Sequence, residues 1–183
     1  IRDSSIGMGL DQRIGDRFLR AGPAYGGSCF PKDTRALIDV ADKYKTDLSI
    51  VKSVIKSNYQ RKITLTKRID KILRNRLKNK NITFLGVTFK PNTDDMREAS
   101  SIPMINYLNK KGSKIRYYDP SGRKKELDKL KNVKFYSSIS SACNKSDLII
   151  IHTEWNAFKL LDFKKLVKKK NFKVFDMRNI YSQ

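Results

Sequence analysis

The spacing of apolar positions changes twice along this chain and divides it into three stretches. Residues 1–33 keep no steady period. Gly7, Gly9, Gly15, Gly22, Pro23, Gly26 and Gly27 mark turns around short helical pieces. From 34 to 78 the spacing is helical. Leu37, Ile38, Val40 and Ala41 predict a helix over 34–45. Val51, Val54, Ile55, Tyr59, Ile63, Ile69, Ile72 and Leu73 follow near the helical period, with charged residues between them and no glycine or proline. A helix of this length and amphipathicity commonly joins domains or forms a dimer seam.

From residue 81 short apolar runs alternate with helical patterns. Strands are predicted over 82–87, 114–118, 133–136, 148–152 and 173–175. Helices are predicted over 100–110, with Gly112 as C-cap, and over 122–130, 138–144 and 163–169. Such alternation implies an α/β fold with a parallel sheet and right-handed crossovers. The expected division is a helical central region over 1–78 and a sheet domain over 79–183.

At 183 residues, with 39% hydrophobic and 32% charged, the chain can bury a real core. Mean hydropathy is −0.58. The longest apolar run, Leu148 to Ile151, is far short of the roughly 20 residues of a membrane span. No secretory signal pattern is present. Cys29 and Cys143 have no framework spacing, which suits a reduced cytoplasm. His152 is the only histidine, which leaves little for a histidine-based metal site or triad. The first residue is Ile1, and the chain is expected to be a fragment of a longer protein.

The net charge of +22 favours anionic partners, including nucleotide phosphates. A nucleic-acid partner is not expected. The basic residues spread along the whole chain, Lys outnumbers Arg 27 to 13, and no finger, basic zipper or RNA-recognition signature appears.

Chemistry concentrates in Gly26-Gly27-Ser28-Cys29-Phe30-Pro31-Lys32-Asp33. Paired glycines let a backbone pass close to a ligand or take positive φ. A cysteine there can be exposed. Lys32 favours the thiolate, the nucleophilic form, and Asp33 can hold a water or move a proton. In parallel sheets ligands bind at the carboxyl ends of strands. The first strand exits into Thr88-Phe89-Lys90-Pro91-Asn92-Thr93-Asp94-Asp95-Met96-Arg97, and the last into Asp176-Met177-Arg178-Asn179. Both deliver cations to one sheet edge, next to a helix start that suits phosphate. No G-x-G-x-x-G fingerprint follows any strand.

Taken with Gly9-Leu10-Asp11-Gln12-Arg13-Ile14-Gly15, Glu98, Tyr118-Asp119-Pro120 and Thr153-Glu154-Trp155, these motifs resemble the UDP-glucose/GDP-mannose dehydrogenase family over essentially the whole chain. The resemblance implies a Rossmann-like C-terminal domain that binds UDP. It also implies a four-electron oxidation of UDP-glucose to UDP-glucuronate with two NAD per turnover. Cys29 would capture the aldehyde and pass through a thioester, assisted by Asp33. Substrate contacts would come from Arg13 (across a homodimer built on the central helix), Arg20, Gly22, Tyr25, Gly26, Phe89, Lys90 and Arg178. Cys29, Phe30, Lys32 and Arg97 would approach NAD. The family's N-terminal domain has no counterpart in these residues, so the chain alone is not expected to turn over. Ala24 stands where the family has a glycine. The alternatives are a GDP-mannose 6-dehydrogenase and a non-enzymatic nucleotide-binding module. Sequence leaves open whether Trp155 walls a cleft and whether Lys32 serves the thiol or the cofactor.

Overall fold

The computed structural model describes residues 2–16, 19 and 21–181. Its elements are α1 (Arg2–Gly9), α2 (Cys29–Lys43), α3 (Ser49–Ile72), β1 (Asn81–Leu85), α4 (Ser101–Lys110), β2 (Lys114–Tyr118), β3 (Val133–Phe135), α5 (Ile139–Cys143), β4 (Leu148–Ile151), α6 (Phe163–Leu166) and β5 (Lys173–Asp176). The five strands form one sheet in the order β3-β2-β1-β4-β5, and every neighbouring pair is parallel. This is the α/β architecture expected from the alternation. The chain order reverses between β1 and β4, so a crevice opens at their carboxyl ends.

Successive side chains of a strand face opposite sides of its sheet. Ile82 and Phe84 of β1 and Leu148 and Ile150 of β4 therefore join one core with Met104, Ile105 and Leu108 of α4. Leu85, Ile149 and Ile151 join the other, with Cys143, Phe158 and Val167. Burial on both faces is why β4 reads as a continuous apolar run. The C-terminal half of α3 enters the first core through Leu65 and Ile69. Its N-terminal half does not: Ile50, Val54 and Tyr59 remain exposed.

Three predicted elements are corrected. The two helical patterns after residue 34 are two helices, separated where Lys45 takes φ +54 and Asp47 Oδ1 accepts the Ser49 N–H at 3.0 Å. The first of them begins at Cys29, not near Thr34. The predicted helix over 122–130 is only a 3₁₀ turn at Lys125–Leu127. The Lys124 N–H is claimed by Tyr117 Oη at 2.9 Å, and Leu127 is the one buried apolar residue of the segment. Lastly, α6 stops at Leu166 because Val167 turns into the core.

Gly86 closes β1 with φ +76, and a Cβ there would stand 2.5 Å from Thr153 Cβ. Gly122 has φ +89 and open space. Gly86→Ala should therefore lose more stability in urea unfolding, about 2–4 kcal/mol, than Gly122→Ala at about 1–2 kcal/mol. Equal losses would show that Thr153 does not limit this turn.

Candidate active site

The site grows from a glycine turn pressed against the loop that leaves β1. Gly27 takes φ +86, its N–H donates to the Arg97 carbonyl at 2.8 Å, and a Cβ on it would meet the Phe89 ring at 2.8 Å. A Cβ on Gly26 would stand 2.6 Å from the Glu98 carbonyl oxygen. The glycines thus permit close approach to protein backbone and ring. Ser28 ends the turn, and α2 starts at Cys29.

Pro31 falls in the first turn of α2, where a missing N–H loses no helical bond. Residues four apart share a helix face, so Cys29 and Asp33 stand together, both exposed. Ser28 Oγ lies 3.7 Å from Cys29 Sγ. Lys32 Nζ is 3.3 Å from Asp33 Oδ1, in solvent. Phe30 is exposed, with its ring centroid 6.0 Å from that of Tyr25.

Arg97 is held by Asp95. Its N–H and Nε bond Oδ1 at 2.8 and 3.0 Å, and Nη2 bonds Oδ2 at 2.8 Å. That pairing raises the Arg97 guanidinium and holds the Asp95 carboxyl below its ordinary value. Arg97 is 68% exposed, a fixed cation open to solvent, and its carbonyl holds the Gly27 N–H two residues before Cys29. Glu98, at φ +54, joins the loop to both helices: Arg35 Nη2 of α2 lies 2.8 Å from Oε1 and Lys62 Nζ of α3 lies 3.5 Å from Oε2. Arg35 is the main reason its carboxyl sits low. A cavity of about 310 Å³ opens beside this junction, lined by Tyr25, Thr34, Arg35, Asn58, Lys62 and Glu98 among others.

Arg178 lies at the β1/β4 crevice with its side chain only 11% exposed. Nε–H donates to the His152 carbonyl at 2.8 Å and Nη2 to the Phe89 carbonyl at 3.1 Å. Glu154 Oε2 is also 2.8 Å from Nε; the charges pair, but the one Nε hydrogen points to His152, and Oε2 has no donor. Burial pulls the Arg178 guanidinium below its ordinary value, opposed by Glu154. A Cβ at Gly22 would stand 2.6 Å from Nη1, so the glycine turn rests on this guanidinium. Lys90 is exposed, with Nζ 5.4 Å from the Phe89 ring centroid.

The structure thus brings together Gly22, Tyr25, Gly26, Cys29, Phe89, Arg97 and Arg178. Phe30, Lys32 and Asp33 follow on α2, and Lys90 on the β1 loop. Arg13 lies apart in an exposed turn, paired with Asp11 at 2.6 Å. Arg20 falls outside the described residues. Sequence reasoning did not single out Asn58, Arg61 or Lys62 of α3, which bond the glycine turn and Glu98. Their i, i+3, i+4 spacing was visible, but α3 carries many such polar positions. Among the described residues no group of three His, Cys, Asp or Glu side chains could hold a metal, and no helix is long and apolar enough to cross a membrane.

Two groups named from the sequence are buried. Burial pushes the Cys143 thiol up to about 12, with Arg116 opposing. His152 lies wholly inside, between Ser100 Oγ at 2.8 Å and Thr153 Oγ1 at 3.2 Å. Trp155 is half-buried in the second core, and its indole N–H lacks an acceptor.

Residues 83–183 match the UDP-binding domain of the UDP-glucose/GDP-mannose dehydrogenase family, and residues 1–60 its central domain. The chain belongs to that family. The UDP-glucose 6-dehydrogenase of Rickettsia typhi is 44% identical over 184 residues, covering 98% of this chain and 42% of the relative. The UDP-glucose dehydrogenase structure from Pyrobaculum islandicum is 29% identical, with TM-score 0.83, covering 97% of this chain and 40% of that one. A GDP-mannose dehydrogenase from Pseudomonas aeruginosa is 25% identical, with TM-score 0.77, covering 100% and 43%. This family member therefore spans about two-fifths of the length of the curated relatives it matches.

Proposed function

We propose that this chain carries the thiol centre and the nucleotide-sugar domain of an NAD-dependent UDP-glucose 6-dehydrogenase. The observation that carries the reading is Cys29, exposed at the first position of α2, with Asp33 on its helix face and the Arg97 carbonyl holding the Gly27 N–H of the turn that leads into it. A thiol suits the task because it holds an aldehyde while a second oxidation takes place. Cys29 adds to the C6 aldehyde as a thiohemiacetal. Loss of a second hydride from carbon and of the hydroxyl proton leaves a thioester, and water releases UDP-glucuronate and the free thiol. Asp33 accepts a proton as sulfur adds and later orients the water.

The residues present fit a dinucleotide. Arg97 is a cation fixed by Asp95 yet open to solvent, suited to a pyrophosphate, and Phe30 offers an exposed ring beside the thiol. Phe30, Lys32 and Arg97 would hold NAD against Cys29, and a separate NAD would supply the hydride acceptor for each of the two oxidations. Phe89, Lys90 and Gly22 to Gly26 line the substrate side. Arg178 fixes the carbonyls of that wall and turns Nη1 toward Gly22, the edge at which the nucleotide enters.

The central region, residues 1–78, pairs with a second copy in this reading. Among the described residues the exposed large apolar side chains are Ile6, Met8, Leu10, Ile14, Phe30, Leu37, Val40, Tyr44, Ile50, Val54 and Tyr59, with only Leu160 and Val174 beyond. A concentration of this kind marks an interface. Arg13 stands free of its own site and is available to the partner's.

Thermal unfolding of the chain with UDP, UDP-glucose, GDP-mannose and RNA tests the proposal. Uridine nucleotides at 100 times their dissociation constant should stabilise it by about 2.7 kcal/mol. A response confined to GDP-mannose overturns the substrate. A salt-sensitive response to RNA alone overturns the enzyme.

A further inference from the structure

The turn that presents Cys29 is gripped from α3, by residues no motif points to. Asn58 Oδ1 accepts the Tyr25 N–H at 3.0 Å, and Asn58 Nδ2 donates to the Tyr25 carbonyl at 3.1 Å. An amide that satisfies both ends of one peptide residue has only one workable orientation, since a flip would oppose donor to donor and acceptor to acceptor. One turn on, Arg61 places Nε and Nη2 at 3.1 and 2.8 Å from the Gly22 carbonyl. Lys62, beside it, donates to the Glu98 carbonyl at 3.2 Å. The Glu98 carbonyl is the group that a Cβ on Gly26 would strike. Tyr25 stands four residues before Cys29, and the two glycines between them are packed against the Glu98 carbonyl and the Phe89 ring. The α3 helix itself is fixed by Leu65 and Ile69 in the sheet core.

We propose that Asn58 is a positioning residue for the thiol: its amide closes on Tyr25 and so fixes the turn that sets the Cys29 sulfur against the substrate carbon. This rests on the function proposed above. Its consequence is specific. With the sulfur displaced, the first oxidation still yields an aldehyde and one NADH. Capture by sulfur then fails, and aldehyde escapes before the second hydride leaves. A displacement of about 1 Å lowers uronate formation on the order of 100-fold.

Two readouts test this. In the 183-residue chain, Asn58→Ala should speed hydrogen exchange of the Tyr25 amide about five-fold or more, with the sheet amides unchanged. In the enzyme containing the chain, the ratio of NADH to uronate should rise above two, with free aldehyde trapped by hydroxylamine. Asn58→Asp keeps the acceptor but sets a carboxylate oxygen against the Tyr25 carbonyl, and should raise the ratio as well. Ile69→Val, a core change that lowers stability without touching the turn, should leave the ratio at two. Unchanged Tyr25 exchange, or a ratio of two in both Asn58 variants, overturns the proposal. A wild-type enzyme that makes no NADH sinks the functional reading instead; the grip on Tyr25 is then decided by exchange alone.

Discussion

Replacing Cys29 by serine in the enzyme that contains this chain should cut UDP-glucuronate formation at least about a thousand-fold while leaving the thermal midpoint unchanged. Stability is spared because the side chain is exposed and contributes little to packing. Chemistry is lost because a neutral hydroxyl adds weakly to the aldehyde, and the ester it would form hydrolyses more slowly than a thioester. Asp33→Asn should cost about 100-fold and leave acyl-enzyme on Cys29, visible by intact mass. Cys143 supplies the contrast. It sits in the second core with its thiol pushed up to about 12, so Cys143→Ser should lower the thermal midpoint and spare the rate per folded molecule. A Cys29→Ser enzyme within ten-fold of wild type would remove the thiol from the mechanism.

The sheet was legible because its signals are local. The buried runs at β1 and β4 and the strand over Lys114–Tyr118 announce themselves by composition and by the turns that follow. Helix starts were harder. Glycines and Pro31 made 26–33 read as a loop, yet proline in a first helical turn breaks no bond. The helix begins at the cysteine itself. That shift matters for chemistry, because it converts Cys29 and Asp33 from neighbours along a loop into neighbours on a helix face. The segment after Gly122 misled in the opposite direction. Its residues tolerate a helix, but Lys124 is drawn inward, with Nζ 2.7 Å from Ser121 Oγ, and tertiary bonds hold the backbone instead. Arg178 shows why a site reads less clearly than a fold. Sequence delivers a cation to the sheet edge, but only the packing reveals that two of its donor groups already hold the carbonyls of His152 and Phe89. The α3 grip on Tyr25 was invisible for the same reason: its partners are backbone groups 33 residues away.

Stability should fall as pH drops from 7 to 5, and His152 is the reason. Burial, then the nearby Arg178 charge, pushes its imidazole down from 6.5 to about 3. Thr153 Oγ1 donates to the Thr88 carbonyl at 2.8 Å, so it accepts from His152 Nδ1–H, and Nε2 accepts from Ser100. The neutral ring is therefore the one that fits. Above pH 6.5 neither folded nor unfolded chain protonates it, and it has no effect. Between 6.5 and about 3 the unfolded chain takes up a proton that the folded chain refuses, so stability falls with falling pH by about 1.4 kcal/mol per unit. Near pH 3 the loss levels off. Carboxylates held low by their partners, Asp95 and Glu98 among them, add to acid sensitivity only as pH nears the unfolded carboxylate range. The interval from 6.5 to 5 thus isolates the single histidine, and a loss of about 2 kcal/mol is expected across it. Urea unfolding at several pH values measures it. His152→Gln keeps a donor and an acceptor but cannot titrate, and should flatten the dependence over that interval. A wild-type profile already flat between pH 7 and 5 would mean that the ring accepts its proton in place, against the bonding geometry around it.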